Sequence, residues 1–256
     1  MNTDIVFFRA FYASSLGEKV IKGINTDLLS LWPNVKGERL LGLGYTLPFL
    51  PLFQNADRCF AFMPSRMGAC QWPSVNYVAT SLVFEEDLPL SDNSVDRVFI
   101  MHSLEFAENA EEMLNEIWRV LSPNGRIIVV VPNRNGLWTR NEITPFGHGE
   151  PYSGGQLLRL LRTTNFTVTK IKHSLYFSPS QKLLPRIFSY FYGKIAARFF
   201  PYFGGLLMVE AQKRLYQGIP IRSRQSQRIF IPALTPQSNA RIYADITFEE
   251  KQKNEK

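Results

Sequence analysis

The sequence predicts an α/β fold, in which a mostly parallel sheet is covered by helices on both faces. Residues 95–101 and 126–131 contain the unbroken apolar runs 98–101 and 127–131, which are typical of strands buried on both faces of a sheet. Between these runs, apolar residues recur at helical spacing from Phe106 to Leu121. A strand, a helix and a second strand in this order form the crossover unit of a parallel sheet, which is right-handed in nearly all proteins.

The N-terminal part of the chain supplies the other predicted elements of the sheet. A helix is expected over 11–32, where leucine, isoleucine and valine recur on one side. The first strand ends in the pair Gly42 and Gly44, and further strands are expected over 58–62 and 77–84. Glycine is required where backbone approaches a ligand closely or adopts positive φ. The pair therefore indicates either a cofactor-binding turn or a plain tight turn.

Stop and capping signals delimit the elements that follow. The sequence Ser-Pro-Asn-Gly at 122–125 ends the helix that begins near Phe106. Ser153 and Gln156 have the spacing of a capping box, so a helix is expected over 157–162. The strand pattern resumes at 166–168.

Two segments resemble the class I S-adenosylmethionine-dependent methyltransferases, in the branch called methyltransferase type 11. Residues 88–98 read Leu-Pro-Leu-Ser-Asp-Asn-Ser-Val-Asp-Arg-Val and look like the segment of this family that precedes and enters the fourth strand. Residues 116–126 look like the end of its next helix and the following turn. The resemblance spans about 40–168 and implies a doubly wound, Rossmann-like sheet with S-adenosyl-L-methionine as the cofactor. It also implies that the last strand, 206–211, is antiparallel.

The cofactor loops depart from the pattern of the family. Gly42 stands where an acid normally precedes the glycines, and Phe84 stands where an acid normally lies near the adenine. No carboxylate occurs near Met63 and Ser65, where the ribose is normally held. Each missing charge-assisted hydrogen bond is worth roughly 1.5 to 3 kcal/mol. The positions that the resemblance assigns to the cofactor are Tyr12, Gly42, Gly44, Tyr45, Thr46, Met63, Ser65, Glu85, Glu86 and Asp87.

One assigned position has two interpretations, and two further residues are catalytic candidates. Tyr12 either contacts the sulfonium through a cation–π interaction or belongs to the core. His102 follows the fourth strand, near the methyl group and the substrate in this family, and histidine titrates near neutral pH. His148 lies between two glycines in the long loop after the fifth strand and either contacts substrate or forms a solvated turn.

The predicted domain spans 1–215 and carries an aromatic and basic insertion at about 178–204. Within it, 180–203 is expected to form an amphipathic helix, which is interpreted as a core-completing lid, a cover for an apolar substrate or a membrane-surface contact. The segment 216–256 is predicted to be a basic, partly disordered tail.

Composition narrows the class of partner. The net charge of +7 is explained by a solvated, basic tail. The sequence after the fourth strand lacks the motif of enzymes that methylate amino groups of nucleic acids. Nucleic acid is therefore not the expected partner. Cys59 and Cys70 form neither a metal-ligand pattern nor a disulfide framework, so no metal and a cytoplasmic location are expected.

Two functions therefore follow from the sequence. The first is methyl transfer from S-adenosylmethionine to a small or lipophilic acceptor, and it rests on the two segments that resemble the family. The second is a non-catalytic binding or scaffolding module with a degenerate methyltransferase fold. The second rests on the missing carboxylates at Gly42, Met63 and Phe84.

Overall fold

A seven-stranded sheet with helices on both faces forms the part of the chain that the structure describes, residues 4–179 and 204–215 of a computed structural model. The strands are β1 (Arg39–Gly44), β2 (Arg58–Pro64), β3 (Thr80–Val83), β4 (Val95–Met101), β5 (Leu121–Pro132), β6 (Phe166–Ser174) and β7 (Leu206–Lys213). The helices are α1 (Ile5–Tyr12), α2 (Ser15–Leu31), α3 (Ala110–Val120) and α4 (Gly154–Thr163). The predicted fold class is confirmed.

The strand order is β3-β2-β1-β4-β5-β7-β6, and only β7 runs antiparallel to its neighbours. The order reverses between β1 and β4, which are parallel and adjacent. In open α/β sheets, ligands bind beyond the carboxyl ends of the strands at such a switch point. The fold therefore places the candidate ligand site beside the residues that follow Gly44 and Met101.

Two apolar layers pack on opposite faces of the sheet because successive side chains of a strand point to opposite sides. Leu40 belongs to the layer that contains the buried faces of α1 and α2. Leu41 and Leu43 belong to the layer that contains α3 and α4. In the described part of the chain, no helix combines the length and apolar character that crossing a membrane requires.

The two segments that resemble the methyltransferase family are bound to each other. The Glu116 carboxylate accepts a hydrogen bond from the Leu88 amide at 2.7 Å. The Arg119 guanidinium donates to Asp92 at 2.6 Å and to the Leu88 carbonyl at 3.1 Å. These contacts fasten the end of α3 to the loop that enters β4, so the segments specify the fold rather than the site.

Several predicted boundaries were wrong. The helix expected over 11–32 is two helices, because the Ser14 side chain accepts a hydrogen bond from Gly17 and starts α2. The strand expected over 77–84 is confined to Thr80–Val83, and Val75, Tyr77 and Val78 are exposed.

Other boundaries agree more closely with the structure. The turn at 122–125 lies within β5, as an irregularity in its pairing with β4 where Asn124 has positive φ. The capping box of Ser153 and Gln156 is confirmed. The predicted helix at 180–203 and tail at 216–256 lie outside the described residues, so this division of the chain stays a prediction.

Asp96 fastens the start of β4 to β1 and gives the fold an acid-sensitive contact. Its carboxylate accepts hydrogen bonds from the Arg39 amide at 2.9 Å, the Arg39 guanidinium at 2.9 and 3.0 Å, and the Ser122 hydroxyl at 2.8 Å. The Arg39 side chain is the main cause that lowers the pKa of Asp96 from 3.8 to about 2. Because the folded pKa lies below the unfolded one, this contribution is present above about pH 4 and is lost as the pH falls through about 2.

We expect Asp96→Asn to lower the free energy of unfolding by about 1 kcal/mol at neutral pH, a value reduced for the partial exposure of the pair. Denaturant titrations at several pH values measure it. The difference from wild type should shrink between about pH 4 and pH 2, where the wild-type carboxylate takes up its proton. A difference that stays constant over this range would contradict the assignment.

Candidate functional site

The carboxyl ends of β1 and β4 meet at Gly44 and Met101, which are paired in the sheet. Gly44 has φ +88, in the left-handed region that favours glycine. A Cβ atom at this position would lie 2.2 Å from the Met101 carbonyl oxygen and 2.9 Å from the Ser103 Cβ. A glycine is therefore required at position 44 for two reasons. The backbone there has positive φ, and the chain that leaves β4 comes too close to leave room for a side chain.

An aromatic cluster covers this junction. We use the term for Phe8, Phe11, Tyr12, Tyr45 and Phe146. The Tyr45 ring stacks on Phe8 at a centroid distance of 5.2 Å and on Tyr12 at 5.5 Å. All five side chains are at least nine-tenths buried, and burial raises the pKa of Tyr45 to about 12. Tyr45, predicted to line a cofactor site, is thus packed under α1.

The Thr46 side chain lies over the glycine that replaces the family acid. A Cβ atom on Gly42 would lie 2.2 Å from the Thr46 hydroxyl oxygen, so the hydroxyl fills space that a side chain at position 42 would take. Thr46 is fully buried, and its hydroxyl has no hydrogen-bond partner among the described residues. A buried hydroxyl without a partner is costly, and it indicates a missing ligand atom or water.

His102 lies at the centre of a buried polar relay, which we define as Tyr12, His102 and Glu105. The Tyr12 hydroxyl lies 2.7 Å from His102 Nε2, and His102 Nδ1 lies 3.2 Å from Glu105 Oε1. His102 is fully buried and has φ +54, an uncommon backbone conformation for a residue with a side chain. The His102 ring lies 4.8 Å from Phe8 and 5.0 Å from Phe146, so the aromatic cluster encloses it.

His148 lies at the outer side of α1. Its Nε2 atom is 2.7 Å from the Glu142 carbonyl oxygen, and its ring meets Phe7 edge-on at 5.4 Å. Neither contact involves the relay. The structure therefore places His102 and His148 in different surroundings, and whether His148 contacts substrate stays a prediction.

The loops after β2 and β3 meet through an ion pair. Arg66 pairs with Glu85, whose side chain is 3% exposed, and burial raises the pKa of Glu85 although Arg66 opposes this shift. Met63 is fully buried in β2, whereas Ser65 is exposed. Glu86 is partly buried and Asp87 is exposed. Of the three predicted acids, Glu85 is the one held in a defined position.

Sequence reasoning did not assign Phe8, Glu105, Phe146 or Arg66 to the site. Glu105 follows His102 by three residues, which was the available signal for this residue. Phe8 belongs to a short apolar stretch that gives no sign of covering the junction, and Phe146 comes from a loop far along the chain.

Comparisons with known proteins agree with this architecture. Residues 64–129 match the sequence family described as a methyltransferase domain. An uncharacterised protein of Methanocaldococcus jannaschii is 44% identical over 50 residues, which span 20% of this chain and 24% of that protein.

Two solved structures are similar over most of their length. One is an S-adenosylmethionine-dependent methyltransferase from Thermotoga maritima, with a TM-score of 0.58 and 18% identity over 81% of this chain and 95% of that one. The other is such an enzyme from Archaeoglobus fulgidus, with a TM-score of 0.58 and 17% identity over 81% of this chain and 98% of that one. At these identities the likeness shows the fold.

Proposed function

We propose that the chain is a class I S-adenosylmethionine-dependent methyltransferase, which transfers a methyl group from S-adenosylmethionine to a small or lipophilic acceptor. The observation that carries the proposal is the buried, unpartnered Thr46 hydroxyl beside the Gly44 turn. It provides a polar group where the family places its cofactor, at the switch point of the sheet.

The residues at the switch point fit the amino-acid end of this cofactor. The Thr46 hydroxyl and the backbone around Gly44 supply hydrogen-bonding groups for the amino-acid part of the ligand. At the nucleoside end, Glu85 is the buried carboxylate, and its partner Arg66 orients it. The ribose acid is missing, so we propose that Ser65 and backbone groups take part of its role.

The cofactor supplies an activated methyl group on a positively charged sulfur. The protein must then align the acceptor with that methyl group and exclude water. The aromatic cluster suits both tasks, because its buried rings form an apolar wall beside His102. Such a wall favours an acceptor that is itself small or lipophilic. Contact of 180–203 with a membrane surface is a further proposal from the sequence alone.

Thr46→Val tests whether Thr46 binds the cofactor, because we expect it to raise stability and to weaken cofactor binding. Removing an unpartnered buried hydroxyl should raise the free energy of unfolding by about 1 kcal/mol. Losing a ligand hydrogen bond should weaken binding of S-adenosylhomocysteine by roughly tenfold. Denaturant unfolding and isothermal titration calorimetry measure the two quantities on the same preparation.

Thr163→Val is the matched control, since Thr163 is exposed on α4. It should leave the affinity unchanged. Absence of binding heat at millimolar S-adenosylhomocysteine would refute the enzymatic proposal. Binding without methyl transfer to any acceptor in a cell extract would instead favour the scaffolding alternative.

A further inference from the structure

The Tyr12–His102–Glu105 relay is more elaborate than methyl transfer by itself requires. Alignment and exclusion of water provide most of the acceleration, and a base is needed only where the acceptor must lose a proton. The three side chains come from α1 and from the segment that follows β4, and each is at least 95% buried. A buried set of titratable groups at the switch point calls for a chemical role.

The direction of the relay is assigned by taking Glu105 as a carboxylate, because its partners set the tautomer of His102. A Glu105 carboxylate accepts at Oε1, so His102 Nδ1 donates to it over 3.2 Å and His102 Nε2 carries the lone pair. Tyr12 then donates to Nε2 over 2.7 Å. Burial raises the pKa of Tyr12 well above its usual value, which agrees with a phenol that keeps its proton. The lone pairs of the Tyr12 oxygen remain able to accept a hydrogen bond.

A second orphaned atom lies in the relay. Glu105 Oε2 is buried and has no hydrogen-bond partner within the part of the chain that the structure describes. An ionised carboxylate in such a position is costly unless a positive charge or a donor is supplied. His102 Nδ1 lies 3.2 Å from the other oxygen of this carboxylate, so a proton passed to His102 would be held beside Glu105.

We propose that the methyl acceptor is an aromatic hydroxyl compound, a phenol, whose proton is taken by the Tyr12–His102–Glu105 relay. This rests on the proposed methyltransferase function. Tyr12 contacts the acceptor as the catalytic residue, while His102 and Glu105 act through it as positioning residues. Phe8 and Phe146 lie beside His102, and Tyr45 stacks on Tyr12, so the relay has apolar, aromatic surroundings that favour an aromatic acceptor over a charged one. A carboxylate acceptor is already ionised and would leave the relay without a role.

The transfer balances as follows. The acceptor oxygen gives its proton to the Tyr12 oxygen as Tyr12 gives its own proton to His102 Nε2. The same acceptor oxygen forms a bond to the methyl carbon, and the electron pair of the broken carbon–sulfur bond stays on sulfur. The imidazolium that results is stabilised by Glu105 and later loses its proton to water. Tyr45 and Tyr152 lie in the electrostatic surroundings of the relay, and burial raises the pKa of each to about 12, so neither competes for the proton.

The test uses 4-nitrophenol, whose ionised form is coloured, and the full chain saturated with S-adenosylhomocysteine. The absorbance of bound 4-nitrophenol is recorded as a function of pH. In the wild type, the bound phenol should ionise about one pH unit lower than the free phenol, a tenfold change in its ionisation constant. Tyr12→Phe and Glu105→Gln should each abolish most of this shift, and a change in stability alone would not move it.

Tyr77→Phe is the matched control, because Tyr77 is 68% exposed and lies outside the site. It should retain the wild-type shift. If S-adenosylhomocysteine does not bind, the proposed function itself fails. If it binds and 4-nitrophenol does not, or if ionisation is the same in wild type, Tyr12→Phe and Glu105→Gln, the acceptor assignment is overturned while the proposed function stands.

Discussion

We expect Glu210→Ala to lower the free energy of unfolding by about 2–3 kcal/mol, since it removes a buried side chain and leaves a buried donor without its acceptor. Glu210 lies in β7 and is fully buried. Its carboxylate accepts hydrogen bonds from Trp32 Nε1 at 3.1 Å, Arg126 at 3.3 Å and the Thr169 hydroxyl at 2.6 Å. These contacts join the end of α2, β5 and β6 through one side chain. Truncation leaves the buried Trp32 indole N–H without its acceptor, whereas Thr169 keeps the backbone carbonyl of residue 210 and Arg126 is partly exposed.

Glu210→Gln is the control for the loss of charge alone. The amide keeps an oxygen that can accept from Trp32 and has nearly the same volume, so we expect a loss of roughly 1–2 kcal/mol. Urea titrations of wild type and both variants measure the free energy of unfolding of each protein. Equal losses for the two substitutions would show that volume and hydrogen bonding at Glu210 contribute little beyond its charge.

We expect Gly44→Ala to lower the free energy of unfolding by at least about 3 kcal/mol and to remove detectable binding of S-adenosylhomocysteine. A side chain at φ +88 costs roughly 1–2 kcal/mol. The added Cβ would also lie 2.2 Å from a backbone oxygen, at Met101, so the end of β4 must shift. That shift moves His102, the residue that follows Met101.

Gly37→Ala isolates the first of these two costs, the positive φ without the steric clash. Gly37 has φ +77, and a Cβ atom there meets nothing within 4 Å. It should therefore show the conformational cost alone, about 1–2 kcal/mol, with unchanged binding. Thermal unfolding and calorimetry on both variants make the comparison. Similar losses at the two glycines would mean that the close approach of β4 has little energetic effect.

The sheet was predictable because its signals are local. Apolar runs such as 127–131 predict a buried strand, and the segments 88–98 and 116–126 contain the residues that bind each other in the folded protein. The boundary errors arose where a single side chain determines where a helix starts. Ser14, for example, caps α2 and so divides the expected helix in two.

The candidate site was less predictable because it is assembled from distant segments. His102 was identified from its place after β4, but its partner Tyr12 comes from the first described helix. Nothing in the local sequence indicates that Tyr45 would be stacked on Phe8. The side chain of Thr46 occupies the space that a side chain at position 42 would take. This arrangement depends on the path of the loop after β1, which the local sequence does not reveal.

The position of β7 between β5 and β6 has a consequence for synthesis on the ribosome. Residues 206–213 are translated after both of their neighbours, and β6 has β7 as its neighbour in the sheet. A nascent chain that ends before Leu206 therefore leaves the facing edges of β5 and β6 open, and open edges are prone to incorrect pairing. Completion of this sheet is thus a late event in translation.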